Sequence, residues 1–413
     1  MKTRSFLRVA GETSSEAGSV ELFFDLVFVF AVTQVSHILI EHTSLEGFLE
    51  TLLLILAVWW IWIYNAWISS WLDPEQWSVR WMLIALMLAA LVMSAAIPEA
   101  FGPRGMVFAA AYVISHLGRT VFMLLAQIRR RPDLAIHFCR VLIWLSVAAV
   151  CWILGGLVAE HQRLLWWAAA FGIEYLGVLV MFWVPGLGKG DPSTWDIPLD
   201  HLAHRVSLFI IIVLGESIIV TGSALSKLDW NTTTWLAFLA AFSSTVLMWV
   251  IYFRRGPQSA GDYIARSGNP VAVAIVAYTW VQVPLVVGIV LTAVGDALVL
   301  DAPLGPTPLA VALLICGGPA VFLIGTLLFH RSISRTWIPW RIASVGAIAL
   351  IFAAHYYFSP LALSWLTSAA LLSAAVVDAR APGQQQQAPL ADKRAHRALQ
   401  KHAPNHDKDG TET

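Results

Sequence analysis

Six ionisable residues sit inside otherwise apolar stretches of this chain: Asp25, His116, Arg119, Glu174, Arg205 and Glu216. An ionised side chain in hydrocarbon costs several kcal/mol unless it is paired or wetted. Groups in such positions are therefore candidates for proton transfer, ion binding or charge pairing. Glu216 has no Lys or Arg within two turns in its own stretch, which makes it the first candidate for a proton carrier. Glu174 and His116 are the other proton-linked candidates. Asp25, with Glu21, and the arginines Arg205 and Arg119 are candidates for structural ion pairs. Each has a plainer reading. The acids could be protonated packing groups, His116 an interhelical hydrogen-bonder, and the Asp25–Arg pair a clamp between helices.

The stretches that hold these residues must be helices. Residues 20–37 read VELFFDLVFVFAVTQVSH, with Leu22 to Val32 almost wholly apolar around Asp25. Glu21 and Asp25, one helical turn apart, share a face. Residues 204–222 read HRVSLFIIIVLGESIIVTG. Arg205 and Glu216 there share a face to within about 20° but stand roughly 16 Å apart along the axis, so each must find its partner on another helix. Gly215 and Gly222 are expected to let neighbouring backbones approach. Asp25 and Arg205 enter their helices at similar depth, Arg119 lies somewhat deeper, and His116, Glu174 and Glu216 fall nearer the middle or the outer half. Depth thus pairs Asp25, with Glu21 beside it, with Arg205 or Arg119. Arginine suits that role because it stays charged and grips carboxylates bidentately.

Composition agrees with a membrane setting. The 413 residues are 58% hydrophobic and 13% charged, with a mean hydropathy of +0.71. Soluble domains run nearer ~25% charged. The net charge of zero gives no ground for a nucleic-acid partner, and the 20 tryptophans suit interfacial belts. Cys139, Cys151 and Cys316 lie in apolar segments without CxxC spacing and read as small buried hydrophobes. His201 and His204, with Asp196 and Asp200 nearby, have metal-compatible spacing, but the position reads as an interface and no metal is assigned. HExxH, GxSxG, P-loop and GxGD patterns are missing, and Gly215-Glu216-Ser217 lacks the strand–turn–helix setting of a nucleophile elbow. No catalytic residue and no cofactor are assigned. No cleavable signal peptide is expected before the first apolar run.

At roughly 20 apolar residues per span, the fold expected is all-α, a polytopic bundle of about twelve spans: 20–40, 47–68, 80–98, 104–127, 136–158, 163–184, 203–225, 232–252, 270–293, 308–329, 338–358 and 360–378. The odd loops hold only Arg104, Arg163 and Lys227. The even loops and tail hold Arg129–Arg131, Arg140, Arg254, Arg255, Arg266, Arg331, Arg335, Arg341, Arg380 and the cluster from Lys393 to Lys408. With Lys2, Arg4 and Arg8 ahead of the first span, the positive-inside rule puts both termini in the cytoplasm. The domain plan is a cytoplasmic segment 1–19, a transmembrane domain 20–378 and a disordered cytoplasmic tail 379–413. The domain has possible halves 20–184 and 203–378, which would be parallel repeats. Pro284 and Gly317-Gly318-Pro319 should kink the ninth and tenth spans.

Two stretches carry a resemblance. ELFFDLVFVFAVTQVSH (21–37) and RVSLFIIIVLGESII (205–219) resemble the two signatures of the bacterial low-temperature-requirement A (LtrA) family, and with the twelve-span pattern the likeness covers about residues 18 to 378. The second signature departs at His204, where the family pattern has Glu before the arginine; this favours Asp25 as the partner of Arg205. The resemblance implies a multi-pass inner-membrane protein linked to growth in the cold, without specifying a reaction, cofactor or substrate. The reading that follows is a secondary transporter or channel-like protein for an unknown small solute or ion, with membrane lipids as its surroundings and the oligomeric state open. An intramembrane lipid-modifying enzyme and a non-transporting structural or regulatory protein are the alternatives.

Overall fold

In the computed structural model, residues 17–128, 130–192, 195, 197–254, 260–261, 263–264 and 267–380 are described. The charges at Lys2, Arg4, Arg8, Arg129, Arg255 and Arg266, Asp196 and the tail from residue 381 lie outside them. Twelve long helices, and no strand among the described residues, make up the fold. They are α1 (Ser19–Glu41), α2 (Leu45–Trp71), α3 (Trp77–Ala96), α4 (Gly105–Gln127), α5 (Pro132–Leu157) and α6 (Glu160–Leu179), then α7 (Leu199–Leu225), α8 (Thr232–Arg254), α9 (Pro270–Asp301), α10 (Leu309–Ser334), α11 (Pro339–Ala353) and α12 (Pro360–Arg380). In an apolar medium a helix satisfies every interior backbone group within itself, which is why apolar runs of this length fold this way. Proline opens α5, α9 and α11, where its missing N–H would have no helical partner anyway.

The twelve expected spans match these helices one for one, but only ten are long and apolar enough to cross a membrane. The exceptions are α6 and α11. The first turn of α6 is the polar run Glu160-His161-Gln162-Arg163, and the helix stops at Leu179 instead of reaching residue 184. The 15 residues of α11 rise only about 22 Å; a short 3₁₀ turn, His355–Tyr357, follows.

Polar cross-links give the helix directions. Glu21 and Asp25 meet Arg205, while Thr33 meets Glu216, so α1 and α7 run parallel. Trp62 meets Asp25, and Ser69 further along α2 meets Arg205, so α2 runs against both. Arg254 and Ala379, at the ends of α8 and α12, touch each other, so those two run the same way. Within residues 17–184, neighbouring pairs are α1–α2, α1–α3, α2–α4, α2–α6, α3–α4, α4–α5 and α5–α6; each has a counterpart six helices on.

Helix α9 is the most enclosed of the twelve and packs most extensively on α10. A Cβ on Gly288 would lie 2.5 Å from the Phe322 backbone nitrogen, and one on Gly318 would lie 2.4 Å from Thr292 Oγ1. Glycine is what allows this approach. The expected approach at Gly215 and Gly222 is not found: both Cβ positions face open space. Pro284 cannot bond the carbonyl of Trp280, and the irregularity falls one turn earlier, as a π-helical turn over Ile275–Trp280. There the Thr279 carbonyl accepts a hydrogen bond from Trp59 Nε1 at 3.1 Å. Pro319, by contrast, lies inside a continuous α10.

Candidate functional site

Among the described residues, the six groups singled out above fall into three separate polar clusters inside the bundle. The first joins α1, α2 and α7. Arg205 donates from Nη2 to Asp25 Oδ1 at 2.6 Å and from Nη1 to Glu21 Oε1 at 3.0 Å and Ser69 Oγ at 3.0 Å. Trp62 Nε1 donates to Asp25 Oδ1 at 2.8 Å. His201 Nε2 lies 3.1 Å from Glu21 Oε2, and its Nδ1 lies 3.1 Å from Ser70 Oγ. All four ionisable groups are buried. Of the two arginines considered for Asp25, Arg205 is therefore the partner, and Glu21 shares it. Of the metal-compatible set His201, His204, Asp196 and Asp200, His201 is engaged with Glu21 and Ser70, and Asp196 lies outside the described residues.

The second cluster joins α2, α4, α5 and α6. Glu174 accepts from Tyr112 Oη at 2.7 Å and from Trp152 Nε1 at 2.9 Å. Arg119 Nη2 donates to His116 Nδ1 at 2.8 Å, and Nη1 donates to the Ile61 carbonyl at 3.3 Å. A histidine that accepts at Nδ1 is neutral with its proton on Nε2. The Arg119 guanidinium sits 4.9 Å from the centre of the Tyr64 ring, and the Tyr112 ring, whose hydroxyl bonds Glu174, lies 4.5 Å from the His116 ring. Arg119 thus serves His116 and the Ile61 carbonyl rather than Asp25. Five buried polar atoms in this cluster have no hydrogen-bond partner among the described residues: Tyr64 Oη, Tyr175 Oη, Trp60 Nε1, His116 Nε2 and Arg119 Nε. Buried donors and acceptors are nearly always satisfied, so such a concentration calls for an explanation.

The third cluster is Glu216 with Thr33. Thr33 Oγ1 is within hydrogen-bond distance of both Glu216 Oε2 and the Val29 carbonyl. The Thr33 hydroxyl can thus donate to the Glu216 carboxyl or to the carbonyl of its own helix. The expected grouping of Glu174, Glu216 and His116 is thereby split: His116 joins Arg119 and Glu174, and Glu216 stands apart on the α1–α7 interface.

Several buried ionic groups were not singled out from the sequence. Arg341, read as a loop charge, pairs with Asp378 at 2.6 Å, and Trp340 Nε1 reaches the same carboxylate at 2.7 Å. Arg163, read likewise, is buried and donates to the carbonyls of Ala100, Gly102 and Gly155. Asp296 lies buried in α9 beyond the expected end of its span. The sequence signal for Arg341 and Asp378 was there: two opposite charges at facing ends of consecutive apolar runs.

Beside the second cluster is a cavity of about 70 Å³. It is walled by α2, α4, α5, Val178 at the end of α6, the chain that follows α6 and the π-helical turn of α9. Tyr64 belongs both to this wall and to the Arg119 cluster. Phe182, also in the wall, has φ 51°, and Met181 before it φ 53°. Left-handed backbone at non-glycine residues costs about 1–3 kcal/mol each and tends to mark functional sites; π turns do the same.

Fold and clusters together define a multi-pass helical membrane protein with ionic networks buried between its helices. The chain belongs to the bacterial low temperature requirement A (LtrA) family, whose description matches residues 16–376. An uncharacterized protein of Rhizobium meliloti (strain 1021) is 38% identical over 374 residues, covering 90% of this chain and 91% of that one. No solved structure matches.

Proposed function

We propose that this LtrA-family protein is a secondary transporter of the inner membrane, with its even loops cytoplasmic and the Glu174–Arg119–His116 cluster as its solute- and proton-handling site. The observation that carries this reading is the position of Tyr64. Its ring walls the aromatic cavity and stacks under Arg119, linking an access space to a network of groups able to bind and exchange protons. The unpartnered atoms of that network offer a passing solute or proton hydrogen-bonding sites that the protein itself leaves unused. The repeated pattern of helix neighbours favours two parallel halves, 20–184 and 203–378, and such halves rock against each other in transporters of this general plan. The parallel, ion-paired α1 and α7 would then be the seam between them.

The test is flux in proteoliposomes. Protein reconstituted with a trapped pH dye should move protons when a small-solute panel is added outside, and Glu174→Gln should abolish coupling while remaining folded. Flux that is unchanged in Glu174→Gln would remove this cluster from the mechanism. No flux above empty vesicles with any solute would remove transport.

A further inference from the structure

The cavity beside Tyr64 has a wall that specifies what it can hold. Aromatic rings supply much of it: Tyr64, Trp67, Trp71, Phe138, Phe182 and Trp195. Among the described residues no Asp, Glu, Lys or Arg lines it. An organic anion therefore meets no Lys or Arg in the wall, whose one basic side chain is the buried imidazole of His137. An organic cation would find aromatic faces, but Tyr64 already carries the Arg119 guanidinium, which repels a second positive charge nearby. That leaves uncharged molecules.

Hydrogen-bonding capacity narrows the class further. Thr279 Oγ1 accepts from Trp67 Nε1 at 2.9 Å, so its own proton is unspent. Tyr64 Oη has no partner among the described residues. Thr120 Oγ1 spends its proton on the His116 carbonyl and can still accept. The polar points on the wall are thus three hydroxyls, each able to donate or accept a hydrogen bond, and the His137 imidazole, whose Nδ1 has no hydrogen-bond partner among the described residues. In size, about 70 Å³ is half of the ~150 Å³ that accommodates benzene, room for roughly three or four carbons.

The geometry points to a binding site for a small uncharged amphiphile, an aliphatic body of about four carbons carrying one hydroxyl or carbonyl. The π turn of α9 brings Thr279 and Ile275 into the wall, and the left-handed Met181-Phe182 pair turns the Phe182 ring into it. Two departures from regular backbone thus shape one cavity. This assignment rests on the transport reading for its biological sense, since it names the solute class of that site, but its test reads binding alone.

The experiment uses the full-length protein in detergent and ω-bromoalkanols of two to six carbons, whose bromine quenches nearby tryptophans such as Trp67, Trp71 and Trp195. Saturable quenching is expected, with affinity rising about fourfold per methylene up to four carbons and falling by six. Bromobutyrate and bromoethyl-trimethylammonium should bind at least tenfold more weakly than the four-carbon alcohol. Tyr64→Phe keeps the ring and removes a hydroxyl without a protein partner, so it should leave thermal stability unchanged and weaken binding several-fold. Val178→Phe should fill the space and abolish saturable quenching; if it fails to fold, the length cut-off and Tyr64→Phe decide. An affinity that climbs steadily through six carbons, equally in Tyr64→Phe, would mean partition into the micelle and would overturn the assignment, as would equal binding of either charged probe. Binding with no flux of the same alcohol would remove transport and leave the ligand class standing; flux of charged solutes without alcohol binding would do the reverse.

Discussion

Arg205→Gln should be the most damaging single change at the α1–α7 seam. The guanidinium makes ion pairs to Asp25 at 2.6 Å and to Glu21 at 3.0 Å, and both carboxylates are buried. Removing it strands two acids where water cannot reach them, and breaking a buried pair from one side costs about 3–5 kcal/mol. Asp25→Asn is different in kind. Arg205 keeps Glu21, and the Asn oxygen can still accept from Trp62 Nε1. What is lost is one charge-assisted hydrogen bond, about 1.5–3 kcal/mol. In the double variant Glu21 still faces His201, so the combined loss should fall short of the sum by about 1–3 kcal/mol. Denaturant titration of the detergent-solubilised protein, followed by tryptophan fluorescence, measures all three. Arg119→Gln combined with Asp25→Asn is the control and should add within about 0.5 kcal/mol, because Arg119 bonds His116 and Ile61 instead. Additive losses for Asp25 with Arg205, or an Asp25→Asn at least as harmful as Arg205→Gln, would refute the reasoning.

The remaining expectations follow from the same contacts. Glu216→Gln can keep a hydrogen bond to Thr33 and should fold normally; loss of proton-linked flux or of cold-growth complementation would make Glu216 a proton carrier, and full activity would end that role. Gly318→Ala puts a methyl 2.4 Å from Thr292 Oγ1 and should cost about 1–3 kcal/mol, whereas Gly215→Ala, facing open space, should stay within about 0.5 kcal/mol of wild type; denaturant titration separates the two. Reporter fusions after residues 74, 131 and 333 should read as cytoplasmic and those after 42, 103 and 302 as extracytoplasmic; an inverted pair would mean that the positive-inside assignment fails at that hairpin.

What the sequence revealed, and what it hid, has a common physical cause. Helices were legible because an apolar run of span length has one way to satisfy its backbone in lipid. Asp25 with Arg205 was legible because depth along a helix is a one-dimensional quantity that counting residues measures. Which face of each helix meets protein was not legible, since both lipid and core accept Leu, Ile and Val. Glu174 therefore gave no hint of Tyr112 and Trp152, 62 and 22 residues away. The glycine reading erred for the same reason. Gly215 and Gly222 are spaced seven apart, but so are Gly288 and Gly295, and Gly318 and Gly325, and it is these four that touch a neighbouring helix. The useful signal was two such pairs on consecutive helices, a pattern that α7 lacks on its neighbours. Asp296 was missed because its span was ended at residue 293.

Hydropathy counts ten spans, while the directions of the helices require more passes through the bundle. Helices α1 and α7 run parallel, tied at Glu21 and Asp25 to Arg205 and again at Thr33 to Glu216. Five helices lie between them, and the loops joining them are too short to reverse direction without a traverse, save the one before α7. If α6 did not cross, α7 would begin at the opposite end of the bundle from Glu21. Arg163 shows where α6 starts: its guanidinium holds the carbonyls of Ala100 and Gly102 from the α3–α4 turn and of Gly155 at the end of α5. Arg140, near the start of α5, reaches the Leu187 carbonyl beyond the end of α6. So α6 begins beside one set of loops and its exit lies beside the other. The same holds for α11, because α8 and α12 end together at Arg254 and Ala379 while Arg341, in the first turn of α11, pairs with Asp378 in the last turn of α12. The polar first turn that costs α6 its hydropathy is thus the anchor that fixes its direction, and among the described residues α6 and α11 run from one set of loops to the other like the ten more apolar helices.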